Sequence, residues 1–252
     1  MPKTNPLKLT LYALFMLATA APINVRGAVL VWPILQSVPA SEQGSALWIE
    51  NRGSSPVRFQ ARVLAWQQVG GRDRYADQSA VLASPPFATI PSGQRQLIRI
   101  IRPGPPPRTG ELAYRIILDE IPDPASPPPV QGAGLRLQMR YVLPLFLTAP
   151  DLKKRTDSEL ASRVHWQVVT QTGKSMLQIT NGGGTHVRLT TVFWGSRAEK
   201  DEASLMLSKG FLGYVLAGQT MQFPLPPGAK VPVGMALFAR VSDNGKPVAL
   251  SR

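Results

Sequence analysis

Short stretches in which apolar and polar residues alternate, each ended by turn residues, recur along the chain from residue 28 onward. In one of them, Val57, Phe59 and Ala61 alternate with Arg58 and Gln60. A period of two places the apolar set on one face of an extended strand, as in a half-buried β-strand. The 25 prolines and 21 glycines supply turns and oppose long helices, so the pattern predicts an all-β protein.

The spacing of these stretches predicts two domains. About seven of them lie within residues 28–150 with no helical period between them, which is typical of an immunoglobulin-like β-sandwich. Residues 148–160, TAPDLKKRTDSEL, are polar and charged and suit a connector between domains. Strand patterns resume after it, so residues 151–252 are predicted to form a second, shorter β-sandwich. No internal sequence repeat is evident between the two halves.

The first 27 residues have the layout of a secretory signal peptide. Lys3 and Lys8 precede an apolar run at residues 9–20 that is too short to span a bilayer, and small residues follow. Cleavage after Ala20 and cleavage after Gly27 both fit this layout. No later segment is long and apolar enough to cross a membrane, so we expect an exported protein that is not embedded in a membrane.

The chain is strongly basic, with a formal net charge of +13. Removal of residues 1–27, which hold three basic residues and no acidic one, leaves +10. Such a balance favours solubility and acidic partners. Nucleic acid is not an expected partner, because the basic residues are scattered through strand-like segments without a basic helix, a zinc pattern or an aromatic–basic motif.

The sequence offers no catalytic constellation. There is no cysteine, and the two histidines, His165 and His186, stand alone without the spacing of metal ligands. Asp119 and Glu120 are adjacent, so on a strand they point to opposite faces. No phosphate-binding glycine loop and no nucleophile elbow is present. We therefore expect neither an enzyme nor a bound metal or cofactor, and an exported hydrolase is disfavoured.

Residues 133–147, AGLRLQMRYVLPLFL, combine a large-apolar strand with arginines. The Pro-rich stretch DPASPPPVQGAG, residues 123–134, comes just before the apolar positions. Three apolar side chains share one face of the predicted strand: Leu135, Leu137 and Met139. Arg136, Gln138 and Arg140 share the other face. Alternation alone leaves open whether the apolar face packs against its own domain or against another molecule.

Six segments in order carry a family resemblance: VWPI, ALWIENRG, VRFQARVLAWQQ, SPPFATIPSGQRQLIRIIR, AYRIILDEIP and MRYVLPLF. Together they resemble the PapD-like periplasmic chaperones of chaperone–usher pilus systems, and within them the branch that serves archaic, spore-coat-U-like fimbriae. The resemblance implies two immunoglobulin-like domains in an L or boomerang arrangement. It also implies a periplasmic location and a role in capping pilin subunits that lack one strand. The lent strand, G1, is the seventh of the first domain, and an outer-membrane usher later receives the subunit.

The resemblance also implies a binding site. Leu135, Leu137 and Met139 would then be the residues lent to the subunit core. In the family, basic residues hold the subunit's C-terminal carboxylate, but here the first strand has no Arg or Lys, and the usual G1 lysine position aligns near Pro144. The candidate anchors are, in order, Arg140, Arg115 and Arg102.

Two further expectations concern partners. An exposed donor strand would be a hazard, so a homodimer that covers it is an expectation for the free protein. The alternative function is an exported adhesin or carbohydrate-binding β-sandwich with an aromatic platform. Trp48, Trp66, Trp166 and Trp194 fall at positions that alternate as core residues do, which argues against that alternative.

Overall fold

A computed structural model describes residues 29–122, 138–242 and 245–252. The predicted signal peptide, residues 1–27, and two of the three predicted donor residues, Leu135 and Leu137, lie outside the described residues. The described part is built almost entirely of β-strands, which form four sheets in two successive sandwiches. The predicted fold class is confirmed.

The N-terminal sandwich contains ten strands. They are β1 (Val29–Trp32), β2 (Gln36–Val38), β3 (Gly44–Asn51), β4 (Val57–Val69), β5 (Arg72–Ala76), β6 (Leu82–Ser84), β7 (Phe87–Ile90), β8 (Arg95–Ile101), β9 (Glu111–Ile121) and β10 (Arg140–Thr148). One sheet has the order β1-β3-β8-β6, and the other has the order β2-β10-β9-β4-β5, with β7 also paired to β4. The chain passes from the first sheet to the second at Pro33, between β1 and β2.

The core of this sandwich follows from the alternation seen in the sequence. Phe59, Ala61 and Val63 of β4 face inward, and so do Ile116 and Leu118 of β9. The arginines and glutamines between the β4 residues lie on the outer face of the same sheet. The outer face of the β10-β9-β4 region is therefore polar and arginine-rich, and it lies next to the second sandwich.

The C-terminal sandwich contains seven strands in two sheets. They are β11 (Val164–Gln171), β12 (Lys174–Asn181), β13 (Val187–Gly195), β14 (Leu205–Val215), β15 (Thr220–Pro224), β16 (Ala236–Arg240) and β17 (Val248–Leu250). The sheet orders are β11-β12-β15 and β14-β13-β16-β17. A separate apolar core that includes Trp166, Trp194 and Leu237 fills the space between the two sheets.

One helix interrupts the β pattern in the predicted connector. It is α1 (Asp157–Ala161), and a capping box begins it: the Glu159 backbone N–H donates to the Thr156 hydroxyl, and the Thr156 backbone N–H donates to the Glu159 carboxylate. The spacing Thr156-x-x-Glu159 is that of a capping box, although no helix was predicted here from the sequence. A short 3₁₀ turn, Lys200–Glu202, precedes β14.

The two sandwiches share one structural repeat that the sequence did not make evident. Asn51 and Asn181, both fully buried, each accept from the backbone N–H two residues later and donate to the carbonyl four residues later. Each side chain also donates to a more distant strand end, at Ile90 for Asn51 and at Val215 for Asn181. The corresponding sequences are NRGSSPVR and NGGGTHVR. The two halves therefore share a local repeat at this turn, although no repeat was evident from the sequence.

A second turn completes the repeat. The Asn51 backbone N–H donates to the backbone carbonyl of Gln94, and the Asn181 backbone N–H donates to the backbone carbonyl of Gln219. Both glutamines follow a glycine with positive φ, +72° at Gly93 and +68° at Gly218, a conformation that a residue with a side chain adopts only with strain. The two domains thus close their sandwiches with the same pair of loops.

Candidate functional site

Strand β10 has an open edge in its first half. One side of β10 pairs with β9 along its whole length, from Arg140 opposite Asp119 to Thr148 opposite Glu111. The other side pairs with β2 only at Leu145–Leu147. Within the described residues, Arg140–Pro144 has no strand on that side, so its outward backbone groups are available for a further strand.

Side chains along β10 alternate between two environments. The odd positions Tyr141, Leu143, Leu145 and Leu147 pack on the domain's own core. Met139 precedes β10, and its carbonyl accepts from the Glu120 backbone N–H, so it continues the β9 pairing in register. It has the same parity as the core-facing residues, yet it lies 46% exposed. The apolar stripe of β10 therefore runs beyond the part of the core that the domain itself fills.

The junction between the two sandwiches carries an aromatic cluster. Trp66 of β4, Phe146 of β10 and Tyr214 of β14 pack together, with ring centroids 5.6–6.0 Å apart. Phe211 of β14 is 53% exposed and stands edge-on to Tyr214 at 5.2 Å. The cluster therefore joins the outer face of the β10-β9-β4 region to strand β14 of the second domain.

Arg115 is the basic side chain at the centre of this cluster. It projects from β9 directly opposite Pro144, and its guanidinium lies 3.6 Å from the Trp66 ring centroid and 5.5 Å from that of Tyr214. Its buried Nε makes no hydrogen bond, and no carboxylate of the described residues lies within ion-pair distance of it. Burial lowers the pKa of Arg115, although Tyr75 and the Asp73 carboxylate nearby partly oppose that shift.

Arg140 lies at the start of β10, away from the aromatic cluster. Its side chain is 64% exposed and pairs with the Asp119 carboxylate, which also accepts from Arg62. Partial burial pushes the pKa of Asp119 upward, but the bonds from Arg62 and Arg140 outweigh it and hold that pKa below its usual value. The three residues form an exposed charged row beside the open edge.

Arg102 has a structural setting. It is 5% exposed, and its guanidinium donates to three backbone carbonyls, those of Ala40, Glu42 and Gly104. These bonds hold together the loops after β2 and β8. The structure does not bring the three predicted anchors together. Arg115 lies in the interdomain cluster, Arg140 lies at the open edge, and Arg102 lies between the loops after β2 and β8.

A buried contact that the sequence did not predict links the two domains beside the cluster. The Glu111 carboxylate, 4% exposed, accepts from the His186 backbone N–H at 2.9 Å and lies 2.8 Å from His186 Nδ1. The His186 ring stacks on Phe146 at 3.6 Å between centroids. His186 therefore has an interdomain structural role, and its sequence setting gave no sign of the distant glutamate.

Several observations on the described residues concern the other functional classes. Trp66, Trp166 and Trp194 are buried, as their alternation predicted. The core position predicted for Trp48 is wrong: Trp48 is half-buried and stacks on Trp32, with ring centroids 6.3 Å apart. Among the described residues there is no group of three His, Asp or Glu side chains that could hold a metal ion. Their helices include none long and apolar enough to cross a bilayer.

Residues 35–153 match the family model described as pili and flagellar-assembly chaperone, PapD N-terminal domain. The N-terminal domain therefore belongs to the PapD-like family of pilus-assembly chaperones. The match spans the open edge, the three candidate arginines, and Trp66 and Phe146 of the aromatic cluster, whereas Tyr214 and Phe211 lie outside it. No curated protein sequence matches the chain.

Solved structures extend the similarity over both domains. The chain is similar to a chain of the CsuC–CsuE chaperone–tip adhesion subunit pre-assembly complex from archaic Csu pili of Acinetobacter baumannii, with 27% identity and a TM-score of 0.69. That alignment covers 89% of this chain and 99% of the other. The E. coli chaperone DraB has 19% identity, a TM-score of 0.60, and coverage of 89% and 96%. The Salmonella enterica complex of SafA pilin with the SafB chaperone also has 19% identity and a TM-score of 0.60, with coverage of 90% and 97%. At 19% identity, the similarity to DraB and to the SafA–SafB complex shows a shared fold only.

Proposed function

We propose that this protein is a periplasmic, non-enzymatic chaperone that caps pilin subunits by donating the strand around β10 and then delivers them to an outer-membrane usher. The observation that carries the proposal is the open edge of Arg140–Pro144 next to an apolar stripe that extends past its own core. Family membership supports the same conclusion.

A pilin subunit that lacks one strand exposes an apolar groove and two rows of unpaired backbone groups, which promote aggregation. Strand addition repairs both, because backbone hydrogen bonds supply affinity and alternate side chains fill pockets. Leu135, Leu137 and Met139 have the parity of the core-facing residues of β10. If each is fully buried in the subunit, the three contribute on the order of 5–9 kcal/mol before ordering costs.

Within this proposal, Arg115 is the anchor for the subunit's C-terminal carboxylate. Arg115 lies on β9 directly opposite Pro144 of β10. The family's G1 lysine aligns near Pro144, so Arg115 offers a cation at this level of the sheet from the neighbouring strand. Stacking on Trp66 holds it in place without a carboxylate partner among the described residues. A subunit carboxylate would therefore complete a charge-assisted pair. Arg140 already has Asp119 as a partner, and Nη1 and Nη2 of Arg102 donate to three backbone carbonyls.

The first test concerns the donor strand. Leu137→Glu and Met139→Glu should abolish capture of a pilin subunit co-expressed in the periplasm, because each places a carboxylate in the subunit core. Gln138→Glu is the matched control, since it adds the same charge to the opposite face of the strand. Co-purification measures capture, and circular dichroism checks that each variant is folded. Normal subunit yield with both apolar-face variants would overturn strand donation through this segment.

The second test concerns the anchor. Arg115→Ala should weaken capture of a subunit with a free C-terminus by about 2–5 kcal/mol, roughly 30-fold or more. Arg99→Ala, an exposed arginine on the other sheet, is the control and should have no effect. A subunit whose C-terminal carboxylate is amidated should bind the wild type and Arg115→Ala equally. A loss of affinity with Arg140→Ala and none with Arg115→Ala would move the anchor to Arg140.

In the absence of a subunit, the proposal includes a homodimer in which two copies cover each other's open edges. Sedimentation velocity of the free protein measures the dimer, and the donor-strand variant Leu137→Glu should shift it towards monomer. A purely monomeric wild type over the micromolar range would remove the dimer from the proposal without affecting subunit capture.

A further inference from the structure

The position of the Arg115 guanidinium is linked to the second domain by a chain of hydrogen bonds that are buried at the junction and partly buried at Asp73. We propose that Gln68 and Asp73 are positioning residues that make the carboxylate anchor depend on the docking of the C-terminal sandwich. This inference rests on the proposed role of Arg115 as the anchor. It assigns a function to two residues that do not themselves reach the carboxylate.

Gln68 is the interdomain end of the chain. It belongs to β4 of the first domain and is 3% exposed. Its side chain both donates a hydrogen bond to the backbone of the second domain and accepts one from it. Its Nε2 donates to the Tyr214 carbonyl at 2.9 Å, and its Oε1 accepts from the Leu216 backbone N–H at 2.8 Å. The side chain therefore pairs with the end of β14 much as a neighbouring strand would, and it fixes where the Tyr214 ring stands.

Asp73 connects Gln68 to Trp66 through hydrogen bonds. Its Oδ1 accepts from Gln68 Nε2 at 3.0 Å and from the Trp66 indole N–H at 2.8 Å. Its Oδ2 accepts from the Tyr75 hydroxyl at 3.3 Å. An indole bonded at its N–H and packed against Phe146 and Tyr214 has a fixed ring plane. That plane is the surface on which the Arg115 guanidinium lies.

The two domains thus supply different faces of the same cation site. Trp66 holds one face of Arg115 from the first domain, and Tyr214 approaches from the second. Movement of the second domain away from the first would break the Gln68 bonds, withdraw Tyr214 and let Arg115 move. A guanidinium that is not held in one orientation loses part of its bidentate affinity for a carboxylate. Opening of the interdomain junction would therefore release the carboxylate without disturbing the donated strand.

The test separates the carboxylate grip from strand binding. The probe is a synthetic peptide of ten alternating threonine and valine residues with two lysines at its N-terminus, made with a free C-terminal carboxylate or with a C-terminal amide. Fluorescence anisotropy gives both dissociation constants for the wild type, Arg115→Ala, Gln68→Ala and Asp73→Ala. Gln78→Ala is the matched control: like Gln68, Gln78 makes three hydrogen bonds, here all to backbone groups of Val63 and Val81, but it lies away from the junction.

The wild type should prefer the acid over the amide by roughly 30-fold or more, and Arg115→Ala should remove that preference. Gln68→Ala and Asp73→Ala should each reduce the preference by about tenfold while leaving amide binding unchanged. Gln78→Ala should keep it. A wild-type preference that survives both positioning variants would overturn this inference alone. A wild type without a preference would overturn the anchor as well, and a preference lost equally in Gln78→Ala would show a general effect of destabilisation.

Discussion

The Glu111–His186 contact can be tested by removing its carboxylate. Glu111→Ala deletes the acceptor of two bonds, from the His186 backbone N–H at 2.9 Å and from Nδ1 at 2.8 Å. Because a carboxylate is acceptor-only, Nδ1 carries the hydrogen in this contact. The Glu111 side chain is only 4% exposed, against 21% for His186, so water replaces the lost acceptor poorly.

The size of the effect follows from the geometry. A hydrogen bond to a charged group contributes about 1.5 kcal/mol or more, so the loss of two predicts a decrease of about 3 kcal/mol in the free energy of unfolding. Glu111→Gln keeps an oxygen at the same place and should cost about half as much. His186→Ala removes the side-chain bond and the stacking on Phe146. Since these two side chains touch, their effects should not add, and a double-mutant cycle should give a coupling energy of about 1 kcal/mol.

Urea unfolding, followed by tryptophan fluorescence and far-UV circular dichroism, measures these changes, and coincident curves support a two-state treatment. His165→Ala is the matched control, because His165 lies exposed on β11 and its removal should change stability by less than about 0.5 kcal/mol. The energetic role of the contact would be refuted if Glu111→Ala changed the free energy of unfolding as little as His165→Ala does. A coupling energy of zero between Glu111→Ala and His186→Ala would refute it as well.

Two further predictions concern stability and pH. Asn51→Ala and Asn181→Ala should each lower the free energy of unfolding by about 3 kcal/mol, because each leaves buried backbone groups without partners, and urea unfolding with similar losses at both sites would support the shared loop. The Asp119 pKa is lowered, so its ion pairs stabilise the fold above its unfolded pKa of about 4 and are lost as pH falls through the lower folded value. Carboxyl NMR titration should show a higher Asp119 pKa in Arg62→Ala and Arg140→Ala, and an unchanged value in both would contradict this cause.

Alternation in the sequence was enough to predict strands and their buried faces, because the period of two is a property of each strand alone. It could not predict that Arg115 faces Pro144, since that pairing depends on the register between β9 and β10. For this reason Arg140, on the donor strand itself, ranked first from sequence. The structure shows Arg140 bound to Asp119 and Arg115 stacked on Trp66 without a carboxylate partner among the described residues.

The interdomain contacts were beyond sequence reasoning for a different reason. Glu111 and His186 are 75 residues apart, and Gln68 and Leu216 are 148 apart. Each residue is ordinary in its local strand, so its role comes only from the docking of two domains. The buried Asn51 and Asn181, by contrast, do have a sequence signal that was overlooked, an Asn-x-Gly followed by Val-Arg at the same spacing in both halves.

The central claim is that the strand leading into β10 is lent to a pilin subunit, and cysteine cross-linking tests it most directly. The chain has no cysteine, so Leu137→Cys and Gln138→Cys each carry a single thiol. Each is paired with a pilin subunit that carries one cysteine in the groove of its missing strand, where a disulfide requires Cα atoms within about 7 Å. The account predicts a disulfide-linked complex with Leu137→Cys and little with Gln138→Cys. A complex that forms normally but cross-links through neither position, or through Gln138→Cys alone, would contradict it.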